Sequence, residues 1–260
     1  LDITANPMEN VEIRTDINMW PSNGMTFDDS LVEQAYFRAD FTNGVNLIGG
    51  KINAPFGAEE VDHPDMLQVS HGQLYGATAN QFNGLFAGYD NDSIDVLVGV
   101  HNGSDAPAAP AAASALATVK YSMDSGHVRV TNVYETLTAD DPRILVDLDT
   151  SWGFGDIGID VEAMYAMEGD ATDTGAMFKL NYGLSDTMSV TGRFDWVQMD
   201  SGVEDAPVPS NMTGAACLNY DLGDNLRSQL EVGVGMPNDD NEDTEDEMTI
   251  DAQLLLLGHF

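Results

Sequence analysis

The chain has one cysteine, only nine basic side chains, and no apolar run near the roughly 18 residues that a membrane-spanning helix requires. Each shortage excludes something. With Cys217 alone there is no intramolecular disulfide and no cysteine-based zinc site, and the thiol reads as a small packed side chain. Nine Lys and Arg against 44 Asp and Glu give a net charge of −35. Such a surface repels phosphate, so nucleic acid and anionic lipid surfaces are poor partners. It attracts divalent cations or suits a salty medium. Without a long apolar helix, the chain can cross a membrane only as a closed barrel of strands. Catalytic signatures are lacking too: there is no Gly-x-Ser-x-Gly, no P-loop and no Gly-x-Gly-x-x-Gly after a strand. The five histidines (His63, His71, His101, His127, His259) show no metal-ligand spacing beyond His63 and His71, eight apart in an expected loop. Asp160 and Glu162 could be imagined as an acid/base couple, but alternate acids on one strand are also what a hydrophilic wall looks like. No enzyme is expected. No signal peptide is visible, as expected if residue 1 follows a cleaved leader.

What is present is alternation. Hydrophobic residues make up 43% of the chain, too many for a disordered acidic tail. Val11, Ile13, Thr15, Ile17 and Met19 alternate with Glu12, Arg14, Asp16 and Asn18. Ile144, Val146, Leu148, Thr150 and Trp152 do the same against Leu145, Asp147, Asp149 and Ser151, as do Met188, Val190, Gly192, Phe194 and Trp196 against Ser189, Thr191, Arg193 and Asp195. Period two is the signature of a half-buried strand. It predicts strands at 11–20, 31–41, 45–52, 81–88, 93–101, 115–123, 127–137, 144–152, 156–166, 174–182, 187–198, 211–221, 225–234 and 247–260, fourteen in all. Gly and Ala dilute the pattern at 45–52, 81–88 and 115–123.

The connections fall into two alternating classes. Short turns such as Thr42-Asn43-Gly44, Asp124-Ser125-Gly126 and Gly223-Asp224 follow the even-numbered strands. Longer connections at 21–30, 53–80, 102–114, 138–143, 167–173, 199–210 and 235–246 follow the odd ones. Outer-membrane barrels have this asymmetry, with tight periplasmic turns and longer outside loops, and an even strand count returns the chain to its starting side. A soluble sandwich has no reason to keep that parity. The last strand carries Met248, Ile250, Ala252, Leu254, Leu256, Gly258 and Phe260 on one face. Outer-membrane proteins end in such a strand with a terminal aromatic, and the resemblance implies recognition by the barrel-assembly machinery. Aromatics on the apolar faces lie near strand ends: Phe41, Tyr121, Trp152, Tyr182, Tyr220 and Phe260 toward the short turns, Tyr165 and Trp196 toward the long loops. That is how interfacial girdles are placed.

The opposite face is charged. A charge facing lipid at mid-depth costs about 2–4 kcal/mol, so the faces cannot be exchanged and the charged one must line the interior. The expected wall residues are Glu12, Arg14, Asp16, Arg38, Asp40, Lys120, Asp147, Asp149, Asp160, Glu162, Lys179, Arg193, Asp195, Arg227, Glu231 and Asp251, with Arg129 among them. A ring of fourteen strands is too wide for side chains to fill, so a water-filled lumen is expected, and the acid excess predicts a preference for cations. If the charges instead pair across the lumen, the barrel is plugged.

The long connections are acidic as well. The densest run holds Asp239, Asn241, Asp243 and Glu245, whose spacing loosely resembles a calcium loop but lacks the turn glycine and the flanking helices. It is expected to be a solvated acidic rim that holds calcium weakly at most, and no other cofactor is expected. Weak divalent bridging to lipopolysaccharide or surface-layer material follows as a further expectation. Residues 102–114 form a low-complexity Ala/Pro loop between like strands, so the chain is expected to be one domain, 1–260.

The segment Gly49-Gly50-Lys51-Ile52-Asn53-Ala54-Pro55-Phe56-Gly57-Ala58-Glu59-Glu60 resembles a segment of the β-barrel porins of Gram-negative outer membranes. Members often carry a strand ending in Gly-Lys, a Pro-hydrophobic-Gly turn and an acid before a long loop. Val32-Glu33-Gln34-Ala35-Tyr36 is similar to the preceding strand, and Tyr182-Gly183-Leu184-Ser185-Asp186 to a periplasmic turn. The chain departs from these porins in being shorter and far more acidic. The resemblance implies passive uptake. By analogy it implies that 53–80 folds into the lumen as a constriction, with Glu59, Glu60, Asp62 and Asp65 as eyelet acids. The expected function is an outer-membrane porin for small hydrophilic solutes or ions, weakly cation-selective and in contact with lipid and lipopolysaccharide. Homo-oligomers are compatible with it. Two alternatives stay open: a non-conducting barrel that displays its acidic loops to a surface layer or partner protein, and a secreted acidic β-protein of a halophile.

Overall fold

The computed structural model describes residues 2–17, 32–59, 66–77, 81–104, 114–136, 142–203, 208, 210–223, 226–238 and 248–258. Alternating β-branched and aromatic residues favour extended backbone, since a pleated ribbon turns successive side chains to opposite faces. The strands are β1 (Asp2–Met8), β2 (Val11–Ile17), β3 (Val32–Asp40), β4 (Val45–Asn53), β5 (Gln81–Asp90), β6 (Ile94–Ser104), β7 (Ser114–Met123) and β8 (Gly126–Glu135). They continue as β9 (Arg143–Phe154), β10 (Ile157–Glu168), β11 (Ala171–Ser185), β12 (Met188–Asp200), β13 (Ser210–Gly223), β14 (Leu226–Asn238) and β15 (Thr249–Gly258). One short helix, α1 (Gln73–Ala77), lies between β4 and β5. All fifteen strands belong to one sheet, ordered from β1 to β15 as in the sequence.

The count is fifteen rather than fourteen, an odd number. The additional strand is β1, whose Asn6-Pro7 reads as a breaker in the sequence. Proline lacks an N–H but is tolerated on an edge strand, and the β1–β2 register shifts between Ala5 and Met8, around that proline. A second difference lies at 167–173, expected to be a long connection. There β10 and β11 pair continuously from Ile157↔Tyr182 to Glu168↔Ala171, and only Gly169 and Asp170 make the turn. Glu168 and Asp173 therefore sit on strands rather than in a loop. Closure of the sheet is not among the described strand pairings, which run linearly from β1 to β15. The Gly-diluted segments are nonetheless strands (β4, β5 and β7), and the Thr42–Gly44 turn forms with Asn43 and Gly44 both in the left-handed region.

Burial is inverted relative to a water-soluble protein. Along β11 and β12, Phe178 is 45% exposed beside Lys179 at 9%, and Phe194 is 48% exposed between Arg193 at 6% and Asp195 at 0%. Val98, Val100, Leu148, Leu180, Leu218, Leu230, Val232 and Leu254 are also exposed. Apolar surface this continuous is covered by something other than water.

The backbone divides into two compact units: Leu1–Pro55, Ala79–Ser122 and Thr131–Arg143 form the first, and Phe56–Thr78, Met123–Val130 and Ile144–Phe260 the second. In the first, Phe82 and Phe86 are fully buried, with Ile52 and Leu97, and Phe82 meets the His101 ring edge-on at 4.6 Å. Its charged residues form local networks. Arg14 bonds Asp16 at 2.9 Å, Gln34 donates to the other Asp16 oxygen at 2.7 Å, and Arg38 bridges Asp40 at 2.8 Å and Asp90 at 2.7 Å. In the second unit, α1 lies against β11, β12 and β13.

Candidate functional site

The polar face of β8 to β14 in the second unit is written as rows across the sheet. Antiparallel register puts Asp160 opposite Lys179 and Lys179 opposite Arg193. Asp195 faces Thr213, Cys217 faces Glu231, and Asn219 faces Gln229. These side chains share a face because positions two apart point the same way, and they present a field of donors and acceptors with almost no access to solvent.

Residues 56–59 and 66–77 satisfy that field. Arg129 donates to the Gly57 carbonyl at 2.7 Å, Glu162 accepts the Ala58 N–H at 2.7 Å, and Lys179 donates to the Ala58 carbonyl at 3.1 Å. Arg193 donates to Glu59 at 2.7 Å and to the Ser70 carbonyl at 2.5 Å. The second Glu59 oxygen takes the Gly72 N–H at 2.8 Å, and Asp195 takes that of Gln73 at 2.6 Å. Further along, Glu231 accepts the N–H groups of Val69 and Ser70 at 2.9 and 3.2 Å together with the Ser70 hydroxyl, while Asn219 and Gln229 donate to the carbonyls of Leu67 and Met66. The segment has little regular structure, so its backbone groups need outside partners, and the wall supplies them. Two glycines mark close approach. A Cβ at Gly72 would stand 2.9 Å from Asp195 Oδ2, and one at Gly175 would stand 2.4 Å from the Leu74 side chain of α1. Leu74, Met66 and Val69 are buried as apolar anchors.

The expected wall residues therefore divide. Asp147, Asp149, Glu162, Lys179, Arg193, Asp195 and Glu231 lie buried rather than on a wetted surface, and all but Asp147 and Asp149 bond the segment directly. Asp149 is held by Arg129 at 2.7 and 3.0 Å, and Asp160 pairs with Lys179 at 3.1 Å. Asp16 is buried by its own pair, Glu12, Arg14, Arg38, Lys120 and Arg227 are half-buried, and Asp40 and Asp251 are exposed. Of the expected eyelet acids, Glu59 is neutralised by Arg193; Glu60, Asp62 and Asp65 lie outside the described residues, as do Asp239, Asn241, Asp243, Glu245 and the terminal Phe260. Among the described residues no group of three or more His, Cys, Asp or Glu is set to hold a metal. Sequence reasoning missed Asn219, Gln229, Thr191, Thr213 and Ser70. For the strand residues among them the one signal is parity, since 191, 213, 219 and 229 fall on the charged face; Ser70, in an irregular segment, has none.

Seven of the nine basic residues (Arg14, Arg38, Arg129, Arg143, Lys179, Arg193 and Arg227) stand in ion pairs with Asp or Glu. Lys51 donates to the Val32 carbonyl at 2.8 Å. The positive charge of the described wall is largely compensated, and the acid excess is not.

The chain resembles solved outer-membrane proteins over almost its whole length. It superposes on the outer membrane channel DcaP of Acinetobacter baumannii with TM-score 0.71 at 12% identity, covering 98% of this chain and 82% of that one. For an anion-selective porin from Comamonas acidovorans the values are 0.67 and 9%, over 99% and 87%. For a loop L8 deletion mutant of OmpT, an outer membrane protein of Vibrio cholerae, they are 0.65 and 14%, over 98% and 88%. At these identities the likeness speaks for the fold. No curated protein matches the sequence. The model of one family matches residues 5–256. The chain belongs to that family, described as Putative beta-barrel porin-2, OmpL-like, and is a protein of the bacterial outer membrane.

Proposed function

We propose that this protein is a passive channel for small hydrophilic solutes and ions, weakly selective for cations, formed when the sheet closes on itself as a barrel. The family points to a channel rather than an enzyme. The observation that carries the selectivity is the charge balance. The described Arg side chains are each tied to a carboxylate, whereas Asp251 stays exposed and stands in none of those ion pairs. A pore with compensated cations and residual acids attracts cations. The fold leaves this open, because a porin of the same fold from C. acidovorans is anion-selective. The connection that contains residues 56–59 and 66–77 acts as the constriction, those residues being held against one stretch of wall. Planar-bilayer recording under a salt gradient tests the proposal: stepwise conductance with a reversal potential of cationic sign is expected, and a folded but silent protein overturns it.

One observation favours a second reading. The wall beneath segment 56–77 is nearly dry, as in a barrel whose inner charges are sealed by a plug. A non-conducting scaffold that presents acidic loops to a surface layer would give the silent trace. Lipopolysaccharide and the barrel-assembly machinery remain the proposed partners. Weak calcium binding at 239–247 is a proposal for calorimetric titration, and no saturable heat would dispose of it.

A further inference from the structure

Three carboxylates converge in the second unit beneath Gly57 and Ala58, and their charges do not balance. Asp147, Asp149 and Glu162 are 0%, 1% and 3% exposed. Asp149 receives both Nε and a terminal nitrogen of Arg129, and the His127 Nε2 stands 3.3 Å away. Glu162 accepts the Ala58 N–H. Asp147 has no donor for either oxygen among the described residues, and the charges of Glu162 and Asp149 both act on it. The charged groups around the cluster can be counted. From β8 come Arg129 and His127, from β10 Asp160, from β11 Lys179, and from the segment Glu59. Lys179 is committed to Asp160 and Glu59 to Arg193, which leaves Arg129, among the described Lys and Arg residues, against three buried anions. One positive charge against three negative ones leaves two uncompensated, and burying an uncompensated carboxylate is costly.

We propose that this cluster is a proton-binding site, and that the bound proton sets how firmly the wall grips Gly57–Ala58. The seat of the proton is between the buried carboxyl groups of Asp147 and Glu162. His127 retains 28% side-chain exposure and gives water a way in. There the proton removes one of the two uncompensated charges, so that Arg129 and Glu162 keep their bonds to Gly57 and Ala58. When it leaves, repulsion among the three carboxylates strains the same two residues that hold the segment. Acidification tightens the grip, and alkalinisation releases it.

Hydrogen exchange of the protein in detergent, read on the 56–77 peptide and corrected for intrinsic rates, tests this between about pH 5.5 and about pH 8.5, above the ordinary range of exposed carboxylates. Protection of 56–77 is expected to fall with rising pH by at most about tenfold per pH unit, the limit for one coupled proton. The β12–β13 hairpin, followed as a control, is expected to stay constant. Asp147→Asn places a permanent N–H donor before Glu162 and is expected to flatten the response at high protection. A flat wild-type profile, or a wild-type slope retained in Asp147→Asn, overturns the proposal. Bilayer conductance rising with pH in step with the loss of protection is the counterpart that rests on the channel reading. A protein silent at every pH refutes that reading and leaves the exchange result standing.

Discussion

Arg193 concentrates the site in one guanidinium. It pairs with Glu59, donates to the Ser70 carbonyl, and stands 3.2 Å from Asp195. Its side chain is 3% exposed and that of Glu59 5%, so water cannot replace either partner. Arg193→Met leaves Glu59 and Asp195 buried without their cation and is expected to cost about 3–5 kcal/mol, as for a broken buried pair. Urea unfolding in detergent measures the loss, and a larger single-channel conductance is the expected functional sign. Phe194, the next residue, has the opposite constraint. At 48% exposure on the apolar face, Phe194→Arg is expected to destabilise by about 2–4 kcal/mol in lipid, while leaving the bonds of Arg193 in place. Refolding yield into vesicles checks this, and an unchanged yield would place Phe194 outside the hydrocarbon.

Among the elements, α1 depends on tertiary support. Five residues are too few for a helix to persist by itself, so packing of Leu74 against Gly175 and hydrogen bonding of Gln73 to Asp195 hold it. Leu74→Ala is expected to cost about 2–5 kcal/mol, as for a buried leucine, and to speed proteolytic cleavage within 56–77 relative to the strands. Gly175→Val, which would push on Leu74 from the strand side, is expected to act in the same direction. Cleavage at wild-type rates in both variants would mean that the hydrogen bonds alone suffice. The strands were legible because each carries its own period-two code, even where Gly diluted it in β4 and β5. β1 was not, since Asn6-Pro7 imitates a turn, and only its pairing with β2 shows otherwise. The α1 turn was not legible either, because five residues hold too little periodicity.

For the molecule as a whole, electrostatics carries the next test. With a net charge of −35 and compensated basic residues, cation preference should weaken as salt rises from about 0.1 M to about 1 M, where the screening length shrinks from about 10 Å to about 3 Å. Reversal potentials at fixed gradient ratio measure it. A preference indifferent to ionic strength would place the selective charges in a dry constriction instead. The sequence by itself determined which face is apolar and which charged, the strand succession from β2 onward, and the membrane that such faces require, because alternation is local and burial in lipid follows from it. Only the tertiary structure decided what the charged face does. The partners of Ala58, Glu59 and Val69 stand 104, 134 and 162 residues away along the chain, and no local pattern encodes which carboxylate meets which backbone N–H. Register between strands fixes the positions of Glu162, Arg193 and Glu231, and the unmet hydrogen-bonding capacity of an irregular segment draws it onto them.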